Sequence, residues 1–523
     1  MIFKRYGTLE GIVNKRSFRI GLFFEGIVTG LATGIVVVLF RFILQKASSL
    51  LTCLYHFLSV NSFWWTIVWI TGLVIIALII AKLIELEPMI RGSGIPHVKG
   101  AVTRQITMNW LRVLCLKFTG GMLAIGSGMS LGREGPSVQL GAVIGQGLNR
   151  LFRGLRVEEK VLITSGASAG LAAAFNAPLA GVVFSLEELH KNFSPPVLLS
   201  ATAASVTADY ISRSIFGIRP IFDFSSLQVL PMNCYLWLLL LGAITGVLGA
   251  FFNWSLINSL GIYERQNLIP KKIVMIIPLL LTVPAGFFSP QALGGGSEII
   301  VGIHNDQYVL TMLTALLGIK FALTIVSYGS GAPGGIFMPL LVIGALAGGV
   351  FGHILIPALN IDPIYSNNFA VFAMAAFFTA IVKAPITGCI LITEMTGSFK
   401  HLPALIIVAM TSYIVADLLK SRPIYEDLLN RILARGKQEL LEEYQDSNTV
   451  LEVVVCVGSA LDEKQIKDIK WPKHCLLINI KRGEAEIVPR GGTKVVAGDY
   501  LNFITSERRA PKLKEILLKM SGY

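Results

Sequence analysis

Between Phe321 and Val382 the only formally charged side chain is Asp362. A run so long and so poor in charge has no place on the surface of a soluble domain, and it far exceeds the roughly 20 residues that a helix needs to cross a hydrocarbon core of about 30 Å. Ser62 to Ala81 repeats the pattern with no charged residue at all. Lipid offers backbone groups no hydrogen-bond partners, so such segments are read as helices. Over the whole chain 53% of residues are hydrophobic and 15% charged, where a soluble protein carries about 25% charged residues. Roughly a dozen or more candidate spans are expected before residue 420, many cut short by Gly or Pro. Lys4, Arg5, Lys15, Arg16 and Arg19 precede the apolar run from Ile20 with no small-residue cleavage site. That start reads as an uncleaved first span with a cytoplasmic N-terminal segment, residues 1–17, in a cell inner or plasma membrane.

The net charge of +13 does not call for a nucleic-acid polymer as partner. The basic residues are scattered at the ends of apolar segments, where snorkelling toward the lipid headgroups and topology account for them. The six cysteines show no CxxC spacing, so neither a metal site nor a disulfide framework is expected.

The charge pattern changes near residue 440. Residues 440–523 carry 13 Lys/Arg and 12 Asp/Glu, about 30% of that stretch against about 12% before it. Strands are expected at Val450–Val457, Leu476–Ile480 and Tyr500–Ile504, with turns at Gly491-Gly492 and Gly498-Asp499 and a closing helix at Lys512–Met520. The expected organisation is an all-α polytopic membrane domain over 18–435, a polar linker over 436–448 and a small cytoplasmic α+β domain over 449–523.

Comparing the membrane part with itself suggests a duplication. Gly132-Arg133-Glu134-Gly135-Pro136 followed by Gly141 is echoed by Gly335-Ile336-Phe337-Met338-Pro339 followed by Gly344. Ala177-Pro178, Gly181 and Glu187 are echoed by Ala384-Pro385, Gly388 and Glu394. Two motif pairs at nearly one offset imply two related halves, about 18–215 and 216–435, an architecture common among secondary transporters. Whether one half is inverted is not readable from the residues.

Gly and Pro interrupt apolar sequence at Gly92-Ser93-Gly94-Ile95-Pro96, at Gly132 to Pro136, at Gly294-Gly295-Gly296-Ser297 and at Gly331 to Pro339. Non-helical backbone at membrane depth is tolerated where it is buried in protein or lines a cavity. A helix that starts at such a break directs free N–H groups and the positive end of its dipole at one point, which makes an anion site without a fixed cation. A conductor must also release its ion, so the absence of Lys or Arg there is consistent with transport. The breaks by themselves serve equally well as kinks for close helix packing.

GSGIP at 92–96, GREGP at 132–136 and GGIFMP at 334–339, followed by Tyr425 in Arg422-Pro423-Ile424-Tyr425, resemble in order and rough spacing the signature segments of the CLC chloride channels and transporters. The resemblance covers about residues 20–435. It implies that Ser93 and Tyr425 donate hydroxyls to a central chloride, with the backbone N–H groups of Ile336 and Phe337 completing the site. It implies that Glu134 is an external gate and proton acceptor, competing with the anion for the same helix N-termini. Read without the resemblance, Glu134 is equally an acid paired with Arg133. Glu188, in Phe184-Ser185-Leu186-Glu187-Glu188-Leu189, matches the family's internal proton-transfer glutamate. Its presence favours a Cl⁻/H⁺ exchanger over a passive chloride channel gated by Glu134. Glu187 beside it points to another face of a helix, because neighbours lie about 100° apart. Serine at 93 indicates chloride. The family also implies a homodimer with one pathway in each subunit and no organic cofactor or metal, the transported ions being chloride and protons. Residues 486–501 are similar to the C-terminal half of RCK/TrkA regulatory domains, which implies a small regulatory ligand on the tail.

Two rivals come from other classes. Gly166-Ala167-Ser168-Ala169-Gly170 fits the G-x-S-x-G pattern of serine hydrolases, but a nucleophile elbow needs a preceding strand and a positioned histidine. Alanine and glycine surround this serine, and the nearest histidine in sequence is His190. A potassium channel or cation antiporter would suit the RCK-like tail. It would need a TVGYG-like filter or buried aspartate pairs, whereas Asp209 reads as isolated.

Overall fold

The computed structural model describes residues 15–191, 194–224, 227–265, 274–443, 448–482, 485–506 and 510–522. Lys4 and Arg5, on which the N-terminal orientation partly rested, lie outside the described residues. The chain divides into two compact units, Met1–Asn430 and Arg431–Tyr523.

The first unit repeats itself helix by helix. Its first half runs α1 (Lys15–Val60), α2 (Phe63–Leu86), α3 (Ile95–Val102), α4 (Trp110–Gly126), α5 (Glu134–Leu151), α6 (Arg156–Phe175), α7 (Pro178–Phe184) and α8 (Pro195–Phe216). The second half runs α9 (Tyr235–Arg265), α10 (Ile276–Phe288), α11 (Ser297–His304), α12 (Leu310–Gly329), α13 (Phe337–Leu359), α14 (Ser366–Val382), α15 (Pro385–Thr396) and α16 (Leu402–Leu418). Each helix of the first half has its counterpart eight places later, down to the 8-residue α3 and α11. The halves meet where Gly132 and Gly335 form an antiparallel bridge, each N–H donating to the other's carbonyl at 2.6 and 2.7 Å. Equivalent residues paired in opposite chain directions place a local two-fold axis between them.

Among the described residues, seven helices are long and apolar enough to cross a membrane, fewer than expected. The shortfall has two causes. Helices α3, α7, α11 and α15 are half-length, because Gly or Pro opens each of them. Helices α5, α6 and α8 are long but rich in Gly, Ala, Ser and Thr, α5 being almost wholly buried in protein. A Cβ on Gly141 of α5 would collide with the Gly166 carbonyl of α6, and a Cβ on Gly344 of α13 would lie 2.7 Å from the Ala373 carbonyl of α14. Small residues let these helix backbones touch, and dispersion contacts over the touching surfaces then replace a hydrophobic drive that lipid does not supply.

The Gly-rich breaks are fastened in the same manner in each half. Gly92 N–H donates to Gly331 O at 3.2 Å, and its counterpart Gly294 N–H donates to Gly128 O at 3.1 Å. Lys117 of α4 is fully buried and donates to Ile90 O at 2.8 Å and Gly92 O at 2.6 Å. Lys320 of α12, equally buried, donates to Ala292 O at 2.9 Å and Gly294 O at 2.7 Å. Each ammonium therefore satisfies carbonyls that have no helical partner, just ahead of a short helix. Gly94 and Gly296 then open α3 and α11 at φ +89° and +80°, a left-handed conformation that residues with a Cβ rarely adopt.

Helix α17 (Ile424–Glu443) runs through much of the segment expected as a linker. Leu440, Leu441, Glu442 and Glu443 are good helix formers, and a single Gly436 costs only about 1 kcal/mol. Residues 444–447 lie outside the described residues. The second unit holds β1 (Asn448–Val454), β2 (Cys475–Arg482), β3 (Ala485–Ile487), β4 (Tyr500–Ser506) and α18 (Ala510–Ser521), with an antiparallel sheet in the order β1-β4-β2-β3. The three expected strands and the helix are present; the 3-residue β3 was too short to read. Val453, Leu461, Ile480, Leu501, Phe503 and Leu517 form its core.

At the Gly498 turn, Asp499 is completely buried. Its carboxylate accepts from Arg482 Nε at 2.7 Å, from a second Arg482 nitrogen at 2.8 Å and from Val496 N–H at 3.0 Å. Burial raises the carboxyl's pKa, but the Arg482 guanidinium and the Val496 N–H outweigh it and hold Asp499 below the usual aspartate value. A group depressed on folding adds stability above its unfolded pKa, about 3.9, and loses it as pH falls through the lower folded value. Hydrogen exchange on the full chain should show β2 and β4 deprotecting in acid over that window. In Asp499→Asn the protection should already be lower at pH 7, by roughly 2 kcal/mol, with little change over the acid window.

Candidate functional site

Glu134 is the first residue of α5 and is buried to 1% exposure. A Cβ placed on Gly132 would collide with Glu134 Oε2 and meet the Met338 backbone nitrogen at 3.1 Å. The carboxylate therefore lies against the first turn of α13, whose N-cap is Ile336. Arg133 Nε is 3.9 Å from Oε1, a loose ion pair. A Cβ on Gly135 would collide with Ser93 Oγ and lie 3.1 Å from Gly335 Cα, so the GSGIP, GREGP and GGIFMP breaks come together. Pro96, Pro136 and Pro339 sit within the first three residues of α3, α5 and α13, where a missing N–H removes no helical hydrogen bond.

Ser93 Oγ and Tyr425 Oη are both buried with no hydrogen-bond partner in the protein. An unsatisfied buried hydroxyl costs about 1–3 kcal/mol, and an anion is an acceptor for both. Tyr328 of α12 lies beside them, since a Cβ on Gly92 would meet its hydroxyl at 3.3 Å, and its phenol lies in electrostatic reach of Tyr425. The charges of Glu134 and Glu188 also reach Tyr425. Phe337 packs its ring on Phe175, Phe184 and Phe378 at 4.6 to 6.0 Å between centroids, closing an apolar wall beside its own N–H.

After α7 the chain widens into a π-helical turn, Ser185–His190, a form that recurs at functional sites. It aims Glu187 and Glu188 at different partners. Glu187 accepts from Ile386 N–H at 3.3 Å, Thr387 N–H at 2.8 Å and Thr387 Oγ1 at 2.7 Å, capping α15. Its counterpart Glu394 accepts from Leu179 N–H at 3.1 Å and Ala180 N–H at 2.7 Å, capping α7. The two halves thus exchange caps across the local two-fold. Glu188 instead meets the ammonium of Lys99 at 2.7 Å, both side chains almost fully buried.

A cavity of about 710 Å³ opens onto Glu134 from one side, lined by Arg41, Arg133, Asn176, Ser297 and Met338 among others. A smaller one, about 190 Å³, is lined by Lys99, His190, Lys191 and Glu426. Asp209 pairs with Arg213 one turn on, at 2.6 Å. Ser168 lies inside α6 with its hydroxyl 2.6 Å from that of Ser205, which is a helix-packing contact and not a strand-borne elbow. Sequence reasoning missed Lys99, Lys117, Lys320, Tyr328 and which helix Glu187 caps. The offset pairing of Glu187 with Glu394 was the available signal for the last.

A family model described as "Voltage gated chloride channel" matches residues 72–417, and one described as "TrkA-C domain" matches 450–518. The chain is 39% identical over 372 residues to the H(+)/Cl(-) exchange transporter ClcA of Vibrio parahaemolyticus, covering 69% of this chain and 79% of that one. It is 35% identical over 396 residues to ClcA of Klebsiella pneumoniae, covering 73% and 83%. Among solved structures, a slow cyanobacterial Cl⁻/H⁺ antiporter superposes with a TM-score of 0.74 at 30% identity, covering 79% of this chain and 98% of that one. A CLC-type fluoride/proton antiporter gives 0.65 at 27% identity, covering 78% and 97%.

The exchanged caps make a prediction. Glu187→Gln and Glu394→Gln should each lower thermal stability by a similar amount, about 1 kcal/mol apiece, because each removes a charged cap from one half-helix. Unchanged melting of both variants in detergent would mean that the carboxylates are not caps.

Proposed function

This chain is a member of the voltage-gated chloride channel family, and on that premise we propose that it carries chloride across a membrane in exchange for protons. The observation that carries the proposal is the Glu134 carboxylate seated on the first turn of α13, an anion already occupying an anion site. In this reading Ser93 Oγ, Tyr425 Oη and the N–H groups of Ile336 and Phe337 hold the central chloride. Glu134 blocks the path from the side of the larger cavity. Protonation cancels its attraction to the helix N-terminus, so the side chain leaves and chloride takes its place. The proton then passes between Glu134 and Glu188, with Tyr425 between them electrostatically. In this reading chloride is held by dipoles and hydroxyls, weakly enough to leave.

The relatives' exchange activity supports proton coupling in this chain. The passive-channel reading draws on one observation, the Lys99–Glu188 ion pair, which occupies the carboxylate that would hand on protons. A homodimer, cytoplasmic termini and a small regulatory ligand on the tail complete the proposal, each by analogy with the family.

Paired chloride and proton fluxes from purified protein in liposomes test it. Wild type should drive protons uphill when given a chloride gradient. Glu134→Gln should pass chloride with proton movement and acid activation both lost, since the amide mimics a permanently protonated gate. Glu188→Gln should lose proton pumping while chloride flux keeps some pH dependence through Glu134. No uphill proton movement by wild type would make the protein a channel.

A further inference from the structure

Lys99 has no part in the anion pathway described above, yet its ammonium forms the shortest contact to the carboxylate assigned to proton transfer. The pair Lys99 Nζ–Glu188 Oε1 spans 2.7 Å, with side-chain exposures of 5% and 4%. Lys99 belongs to the last turn of α3, the helix that begins at the Ser93 break. Four residues at about 1.5 Å each set it roughly 6 Å along the axis from the start of the helix at Ile95. Its remaining surface lines the 190 Å³ cavity together with Thr103, Gln105, His190, Lys191 and Glu426, whereas Glu188 does not line it. The ammonium therefore stands between that cavity and Glu188.

We propose that Lys99 is a positioning residue for the proton step, holding Glu188 anionic in a single orientation until a proton entering through this cavity displaces the ammonium from the carboxylate. The proposal rests on the reading of Glu188 as the internal proton-transfer group. In the step, an O–H bond forms on Glu188 and the Nζ–H···O hydrogen bond breaks. Lys99 keeps all its protons, so the pair changes from net zero to +1. The freed ammonium turns into the cavity toward Glu426, which now pairs with Lys191 at 3.3 Å. When Glu188 passes its proton on, the ion pair re-forms and the site is reset. The other groups bearing on Glu188 are Lys191 and Glu426 and the Tyr425 phenol. His190 lies in the same turn with Lys160 of α6 near it, and Glu187 is turned away into the α15 cap.

The test uses the full chain in liposomes and reads protons moved per chloride as a function of pH on the side of the smaller cavity. Lys99→Gln keeps a hydrogen-bond donor but removes the charge that favours the carboxylate. The midpoint of the proton profile should then move to higher pH by roughly one to three units, the usual effect of one nearby opposite charge. Lys99→Arg keeps the charge and should restore the wild-type midpoint. A Lys99→Gln profile that overlays wild type overturns the proposal, and so does a proportional loss of both fluxes with the midpoint unmoved, which is the mark of packing alone. If Lys99→Gln does not fold, Lys99→His carries its charge only below about pH 6.5. It should follow wild type under that pH and depart from it above, and a wild-type profile throughout overturns the proposal. A wild type that moves no protons is a separate failure, because it removes the exchanger reading and this proposal with it.

Discussion

Lys117 and Lys320 each put a fully buried ammonium onto two backbone carbonyls just ahead of a short helix. Taking a charge out of water is expensive unless it is hydrogen-bonded, and an unpaired carbonyl in lipid is expensive as well. Joining the two problems lets the chain break its helices at membrane depth. These contacts serve the Ile90, Ala292 and Gly294 carbonyls, while Gly92 O is shared between Lys117 and the Gly334 N–H. The same logic repeats at the Gly132–Gly335 bridge and at the exchanged caps of Glu187 and Glu394. At the bridge and at the caps one half supplies what the other half's break lacks, whereas each lysine serves the break of its own half.

A membrane anion pathway follows from that arrangement. Three breaks converge because Gly135 and Gly335 carry no Cβ, and even one added carbon would strike Ser93 or neighbouring backbone. What meets there is a set of donors: two unpartnered hydroxyls and the N-terminal turn of α13. The arginines, Arg41 and Arg133, line the larger cavity instead. There Arg41 is engaged with Asn176 Oδ1 at 2.7 Å and Ser212 Oγ at 3.2 Å. In the proposed mechanism Glu134 competes for the donors where the breaks meet until a proton removes it.

Much of this was legible in the sequence, for identifiable reasons. Charge-poor runs announce spans, and Gly-Pro clusters announce breaks, because both follow from the cost of leaving backbone groups in lipid without partners. The duplication showed through Pro136/Pro339 and Pro178/Pro385 because equivalent positions must solve the same backbone problem. Contacts between distant residues were not legible. Nothing near Lys99 in the chain announces Glu188, 89 residues away, and a lone lysine in an apolar helix reads as an end marker until its partner is seen. Lys117 and Lys320 were passed over for that reason. That the expected linker at 436–448 begins as the end of a helix was not readable, because polar residues suit a solvated helix as well as a loop and period alone separates them poorly over so short a stretch.

The central claim is that anions bind to backbone N–H groups and hydroxyls at the meeting of the breaks, in competition with the Glu134 carboxylate. Anomalous diffraction from crystals grown in bromide tests it directly. Wild type should show bromide beside Ser93 Oγ and Tyr425 Oη, and Glu134→Gln should gain a second peak where the carboxylate lay against the first turn of α13. Bromide bound only at Arg41 or Arg133, with nothing beside Ser93 or Tyr425 in either protein, would contradict it.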